Sequence, residues 1–115
     1  MQLGFEGKIA LVTGGASGIG AAIANMLSEE SEVVVADTNV EGAQRIAAAI
    51  LSHGGRARAL EVDVADPRSV EDLVKTIEQT CGGLHLAVNN AGAAGSREIT
   101  ANYPSRTGIE SSMSI

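Results

Sequence analysis

Three glycines in one short stretch have the spacing of a phosphate-binding turn. The sequence TGGASGIG places Gly14, Gly18 and Gly20 directly after the apolar run IALV at 9–12. Between a strand and a helix, such glycines permit a tight turn, close approach of the backbone to a diphosphate, and close packing of the helix on the strand. The helix that begins near Gly18 then directs free N–H groups at the phosphates, with the Ser17 hydroxyl as a further candidate donor.

The context of this turn separates it from two alternatives. Glycine turns also serve as plain connectors, but here an apolar run precedes the glycines and a helical pattern follows them. No Gly-Lys-Ser/Thr follows, so the turn is not a nucleoside-triphosphate P-loop.

An acidic residue at the end of the next apolar run is the second feature that could bind a nucleotide. Asp37 closes the run VVVA about 20 residues after the glycines, where a carboxylate can accept hydrogen bonds from both hydroxyls of an adenosine ribose. The same charge repels a 2′-phosphate, and Gly15, Ala16, Thr38 and Asn39 offer no cation nearby. The two features predict a dinucleotide, NAD rather than NADP; a solvated turn residue is the alternative interpretation of Asp37.

A parallel sheet would bring these residues together, and the sequence alternates apolar runs with helical patterns. The apolar runs are IALV (9–12), VVVA (33–36), ALEV (59–62) and LHLAV (84–88), and helices are predicted over 18–30, 40–53 and 67–80. Ile19, Ile23 and Leu27 follow one another at four-residue steps and so lie on one helical face. Asp66 followed by Pro67 is a typical helix start. The strands are too apolar to alternate between apolar and polar residues, so helices should cover both faces of a doubly wound α/β sheet. The alternative, four helices joined by apolar linkers, fits the β-branched run and the repeated glycines poorly.

Composition narrows the function classes. The chain has 115 residues and a net charge of −6, and it has no cluster of Lys and Arg for nucleic acid. No apolar run reaches the roughly 18 residues of a membrane span, and no signal peptide is evident, so we expect a cytoplasmic protein. The lone Cys81, with only His53 and His85 in the chain, predicts neither a disulfide nor a metal site. Periodicity ends after Gly92, so we expect a dinucleotide-binding domain over 1–95 and an irregular tail over 96–115.

With these residues in place, three motifs together resemble the short-chain dehydrogenase/reductase family. TGGASGIG fits its Thr-Gly-x-x-x-Gly-x-Gly pattern, EVDVAD (61–66) is similar to its third-strand end, and NNAG (89–92) to its fourth-strand signature. On its own NNAG would read as a simple turn. The resemblance covers about residues 3–95 and departs at Ser31, where a glycine often stands.

The resemblance implies a Rossmann-type sheet of order 3-2-1-4, truncated so that its fourth strand is exposed at the edge. In this family pattern Asp63 and Val64 contact the adenine, and Asn90, Ala91 and Gly92 border the cofactor. The implied cofactor-binding set is Gly14, Ser17, Gly18, Ile19, Gly20, Asp37, Asp63, Val64, Asn90, Ala91 and Gly92.

The catalytic residues that the resemblance implies have no counterpart in this sequence. Family members use a Ser and a Tyr-x-x-x-Lys to interconvert alcohols and ketones, and here the only tyrosine, Tyr103, is followed four residues later by Thr107. We therefore expect the chain to be inactive alone. The resemblance implies an alcohol or ketone substrate and an oligomer only for the full-length parent protein. The alternatives are a non-catalytic NAD-binding or subunit-interaction module and, less consistent with the motifs, a Rossmann-type methyltransferase.

The tail itself leads to a prediction about the gene. Starting from the third base of the Arg106 codon, the shifted frame permits a Trp followed by Val-Asn-Leu, which is similar to the family pattern at this distance from NNAG. We expect the gene beyond codon 106 to continue in that frame into a Tyr-x-x-x-Lys. Sequencing the gene from codon 100 onward checks this, and a region without such a frame would leave the short chain as the product.

Overall fold

The chain folds into one mixed sheet with helices on both faces. The computed structural model describes residues 6–90, 98–101 and 111–114. In chain order its elements are β1 (Ile9–Thr13), α1 (Gly18–Leu27), β2 (Glu32–Asp37), α2 (Val40–Ser52), β3 (Arg56–Glu61), α3 (Pro67–Cys81), β4 (Leu86–Asn89), β5 (Glu98–Ala101) and β6 (Ser111–Ser114). The strand order is β3-β2-β1-β4-β5-β6, and the first four strands are parallel. The predicted parallel order 3-2-1-4 with alternating helices is therefore confirmed.

The central strands are buried on both faces, as their continuous apolar runs predict. All five residues of β1 are buried. Ala10 and Val12 pack with α1 and α2, whereas Ile9 and Leu11 pack with α3 on the opposite face. Side chains alternate across a strand, so each central strand contributes to two cores. Among the described residues, the buried apolar side chains are all Val, Leu, Ile or Ala.

Local capping signals position α3 as predicted. Asp66 is the N-cap and accepts a 3.0 Å hydrogen bond from the Arg68 amide, with Pro67 in the first helical turn. The helix ends at Gly82, whose φ of 85° is a left-handed value that glycine adopts without strain. Asn39 caps α2 in the same way by accepting from the Gly42 amide at 3.1 Å.

The helical face that carries Ile19, Ile23 and Leu27 is only partly buried. Ile19 is 52% exposed, and the buried positions of α1 are Gly20, Ala24 and Leu27. A residue at the start of a helix can fit the periodicity without reaching the core. We expected no strand to alternate between exposed and buried side chains, and this is wrong for β3. β3 is an edge strand, and its exposed Arg58 forms a 2.9 Å ion pair with Glu32.

The segment expected to be an irregular tail contains two short strands. β5 pairs antiparallel with β4, and β6 pairs antiparallel with β5. The outer edge of β4 is thus covered, contrary to the expectation that it is exposed. Periodicity could not reveal this, because an unpaired edge can pair with any extended backbone. The division of the chain at residue 95 stays a prediction.

Both histidines lie at the ends of elements, and His85 forms hydrogen bonds that join β4 to β1. His53 is the C-cap of α2. His85 precedes β4, and its Nδ1 accepts a 3.0 Å hydrogen bond from the Ile9 amide, while its own amide donates to the Ile9 carbonyl at 2.9 Å. Desolvation and the neighbouring charge of Lys8 hold the pKa of His85 below its ordinary value.

This arrangement makes part of the stability pH-dependent. Because the folded pKa is depressed, the unfolded chain binds the proton first as the pH falls. The contribution of His85 is complete above its unfolded pKa of about 6.5 and is lost as the pH falls through the lower folded value. We expect the urea midpoint to fall between pH 7.5 and pH 5.5.

The matched control is His85→Asn, whose carboxamide oxygen can accept from Ile9 without titrating. The urea midpoint of this variant should fall by less than that of the unsubstituted protein over the same pH interval. Equal losses in the two proteins would show that His85 does not carry this dependence.

Candidate functional site

The residues singled out for nucleotide binding meet at one edge of the sheet. The glycine turn follows β1, Asp37 ends β2, Asp63 follows β3 and Asn90 follows β4. Because these four strands are parallel, their carboxyl ends lie at the same edge, which is where open α/β sheets bind ligands. Ala91 and Gly92 lie outside the described residues, so their predicted roles stay predictions.

The surrounding structure requires glycine at two of the three motif positions, for different reasons. Gly14 has a φ of 68°, in the left-handed region that favours glycine. A Cβ on Gly20 would overlap the Gly14 carbonyl and lie 2.9 Å from the side-chain nitrogen Nδ2 of Asn90, so Gly20 lets α1 approach the turn. A Cβ on Gly18 would meet nothing within 4 Å. Nothing within the described chain therefore requires glycine at position 18.

A fourth glycine, Gly15, is required by packing that sequence reasoning missed. A Cβ there would overlap Cγ1 of Val35 and lie 3.3 Å from the Val12 carbonyl oxygen. The Gly15 amide also donates to the Ala36 carbonyl at 3.2 Å. The turn is thus attached to β2 as well as to β1, a tertiary contact for which the sequence carries no local signal.

Ser17 holds the turn together as the N-cap of α1. Its hydroxyl donates to the Gly14 carbonyl at 2.8 Å and accepts from the Gly20 amide at 3.3 Å. The Asn90 side-chain amide donates to the same hydroxyl at 3.0 Å and to the Gly14 carbonyl at 3.3 Å. The hydroxyl proton that sequence analysis assigned to a phosphate is therefore used inside the turn.

The first turn of α1 presents free amides beside the open position at Gly18. The N–H groups of Gly18 and Ile19 have no acceptor within the described residues. Such amides, together with the positive end of the helix dipole, form an anion-binding site. The exposed Ile19 side chain lies in the same turn.

The carboxylate of Asp37 is oriented by the backbone around it. Its Oδ2 accepts from the Ala16 amide at 3.1 Å, and its Oδ1 accepts from the Asn39 amide at 3.0 Å. Asp37 is therefore more than a solvated turn residue, because it ties the end of β2 to the glycine turn. A carboxylate has about four acceptor positions, so these bonds leave capacity for a ligand hydroxyl.

Asp63 and Val64 stabilise the connection from β3 to α3. The Asp63 carboxylate accepts from the Ala65 amide at 3.0 Å, and the Asp63 amide donates to the Ser69 hydroxyl at 2.9 Å. Val64 packs against the core beneath α3. Asp63 itself is exposed, which leaves its outer surface accessible at the same edge as Asp37.

Thr13 is a second site residue that sequence analysis did not single out. Its side chain is buried, and its hydroxyl donates to Asn89 Oδ1 at 2.9 Å. The Asn90 amide donates to the Thr13 carbonyl at 3.2 Å. These contacts join the ends of β1 and β4 directly below the glycine turn.

The described part of the chain gives no support for a metal site or a membrane-spanning helix. There, no three His, Cys, Asp or Glu side chains come together in a group that could hold a metal ion. Of the helices in those ranges, none is both long and apolar enough to cross a bilayer.

Comparisons with known proteins agree with this architecture. A family model described as short chain dehydrogenase matches residues 8–115. The chain is 42% identical over 92 residues to cyclohexanol dehydrogenase of Acinetobacter sp. strain SE19, covering 79% of this chain and 37% of that protein. It is 41% identical over 90 residues to D-threitol dehydrogenase of Mycolicibacterium smegmatis, covering 77% of this chain and 35% of that protein.

A solved structure gives the same result. The crystal structure of hydroxysteroid dehydrogenase from Escherichia coli matches with a TM-score of 0.75 and 33% identity, over 79% of this chain and 39% of that one. The chain thus spans well under half the length of the relatives that it matches.

The glycine contacts predict that two alanine substitutions change the free energy of unfolding by different amounts. Gly20→Ala forces a methyl group against the Gly14 carbonyl, and overpacking of this kind costs about 1–3 kcal/mol of unfolding free energy. Gly18→Ala enters open space and should change that free energy by no more than about 0.5 kcal/mol. Urea unfolding followed by circular dichroism measures both, and equal destabilisation would contradict the assignment.

Proposed function

This chain belongs to the short chain dehydrogenase family, and from that premise we propose that the edge built by Gly18, Asp37 and Asn90 binds NAD as part of an alcohol/ketone oxidoreductase. The family binds a nicotinamide dinucleotide; the preference for NAD and the reaction of the whole protein belong to the proposal. The predicted cytoplasmic location stays a prediction.

One observation carries the proposal: position 18 is a glycine that the described protein does not need. Its Cβ position is open, and the free amides of Gly18 and Ile19 lie beside it at the positive end of α1. Open space next to unpaired donors fits the diphosphate of a dinucleotide, which needs close approach and several N–H groups. The chain therefore has the local chemistry that this cofactor requires.

Asp37 supports NAD over NADP. Its oriented carboxylate can accept from the adenosine ribose hydroxyls, and a 2′-phosphate at that place would meet a like charge. No neighbouring side chain offsets that repulsion with a positive charge. The residues next to this position in the turn and after β2 are Ala16, Thr38 and Asn39.

The cofactor supplies hydride acceptance or donation, and this chain supplies binding and orientation. Amides at α1 hold the diphosphate, Asp37 holds the ribose, and Asp63 and Val64 border the adenine. The printed names of two relatives, cyclohexanol dehydrogenase and D-threitol dehydrogenase, support an alcohol as the substrate class. Tyr103 lies outside the described residues and is not followed by the required Lys, so we propose that the chain alone binds the cofactor without turning it over.

The first test uses the glycine that stability does not require. Gly18→Ala should weaken NADH binding at least about tenfold, because a methyl group fills the space for the diphosphate. Fluorescence titration of NADH measures the change, with the urea midpoint as a check that the fold is retained. Unchanged affinity would remove the central support for the proposal, and tighter binding of S-adenosylmethionine than of NADH would favour a methyltransferase.

The second test addresses the choice between NAD and NADP. Asp37→Asn retains an oxygen that can accept from the Ala16 amide but removes the negative charge. We expect the ratio of NADPH to NADH dissociation constants to fall by about tenfold, the loss of one like-charge repulsion of roughly 1.4 kcal/mol. An unchanged ratio would show that Asp37 does not determine this preference.

A further inference from the structure

Gly42, in the first turn of α2, lies against the glycine turn as well as against the cap of its own helix. A Cβ at position 42 would lie 2.6 Å from the side-chain nitrogen Nδ2 of Asn39 and 2.9 Å from the Cβ of Ala16. Non-bonded carbon atoms pack at about 3.5 Å or more. The start of α2 can therefore lie this close to the glycine turn only because residue 42 has no side chain.

The two residues that face Gly42 are the two whose amides orient the Asp37 carboxylate. The Ala16 amide donates to Oδ2 at 3.1 Å, and the Asn39 amide donates to Oδ1 at 3.0 Å. Gly42 is also bound to one of them directly, since its amide donates to the Asn39 side-chain oxygen at 3.1 Å. A displacement of either neighbour therefore moves a donor of the carboxylate.

Neither neighbour can make room for a side chain at position 42 without moving such a donor. The side chain of Ala16 is a single methyl group, so it moves only together with the backbone of the turn. The Asn39 side chain can rotate, but rotation breaks the bond that caps α2. The strength of a hydrogen bond depends steeply on its geometry. A methyl group at position 42 must therefore weaken the bonds that hold Asp37.

We propose that Gly42 is a positioning residue for the choice of cofactor, which acts through Ala16 and Asn39 on the orientation of the Asp37 carboxylate. The inference rests on the proposed binding of NAD at this edge. NADH needs the oriented carboxylate, because its adenosine ribose donates hydrogen bonds to it. NADPH carries a 2′-phosphate there and is repelled by the charge in any nearby orientation. Loss of the orientation should therefore weaken NADH binding more than NADPH binding.

Gly42→Ala tests the proposal directly. The dissociation constant of NADH should rise about tenfold, the equivalent of one hydrogen bond to a charged group. The constant of NADPH should rise by less, because the two nucleotides share the diphosphate site, so the ratio of NADPH to NADH constants falls. Fluorescence titration with each nucleotide measures both constants. Asp37→Asn lowers the same ratio by tighter NADPH binding, whereas Gly42→Ala lowers it by weaker NADH binding.

Gly55→Ala is the matched control for crowding alone. A Cβ at position 55 would lie 2.7 Å from Cγ2 of Ile50, at the amino end of β3 and thus at the opposite edge of the sheet from Asp37. This variant should have a lower urea midpoint and an unchanged ratio of the two constants. A Gly42→Ala protein with an unchanged ratio, or one that unfolds where Gly55→Ala stays folded, would assign Gly42 to stability and overturn the proposal.

Removal of the crowded neighbours should rescue the cofactor preference. Ala16→Gly deletes one of the contacted groups, and Asn39→Ser shortens the other while keeping an oxygen that can cap α2. In the A16G/N39S background, Gly42→Ala should change the ratio by less than about twofold, which is the usual error of additivity. An equal change in the two backgrounds would refute the route through Ala16 and Asn39.

A measurement without nucleotide separates this inference from the proposed function. In the NMR spectrum of the free protein, the amide protons of Ala16 and Asn39 should shift upfield in Gly42→Ala, because their bonds to Asp37 weaken, and not in Gly55→Ala. Unchanged resonances would overturn the positioning role even in a protein that binds NADH. Shifted resonances in a protein that binds neither nucleotide would refute the proposed function, and the role in cofactor choice with it.

Discussion

The close approach of α1 to the end of β1 is the constraint on which the site depends. Gly20 allows it because no side chain separates the helix from the Gly14 carbonyl. That carbonyl also accepts from Ser17 and Asn90, so one oxygen joins the turn, the helix cap and the fourth strand. A larger residue at position 20 would displace all three partners together.

The same turn is fixed to β2 through two separate contacts. The Gly15 amide donates to the Ala36 carbonyl, and the Asp37 carboxylate accepts from the Ala16 amide. Three parallel strands therefore hold one short loop, and the free amides of α1 take their direction from that loop. A binding site held in this way is organised before a ligand arrives, which lowers the entropy cost of binding.

Local signals predicted most of the parallel sheet, and tertiary contacts account for the rest. Asp66 and Pro67 marked the start of α3 because capping depends on neighbouring residues. The spacing of Ile19 could not show that its side chain is exposed. The requirement for Gly15 could not be inferred either, because it comes from Val35, twenty positions later in the chain. The strands β5 and β6 escaped prediction because their pairing follows from the unpaired edge of β4 rather than from a pattern of their own.

The bonds from Asn90 to Gly14 and Ser17 span 76 and 73 positions of the chain. The Thr13 hydroxyl and the Ile9 amide have partners at a similar separation, 76 positions away in each case. Contacts between distant residues form late in folding, because the intervening chain must first be ordered. During synthesis the glycine turn leaves the ribosome early, yet its geometry is completed only after residue 90 has emerged. We therefore expect that the turn cannot bind its ligand until the fourth strand docks beside the first.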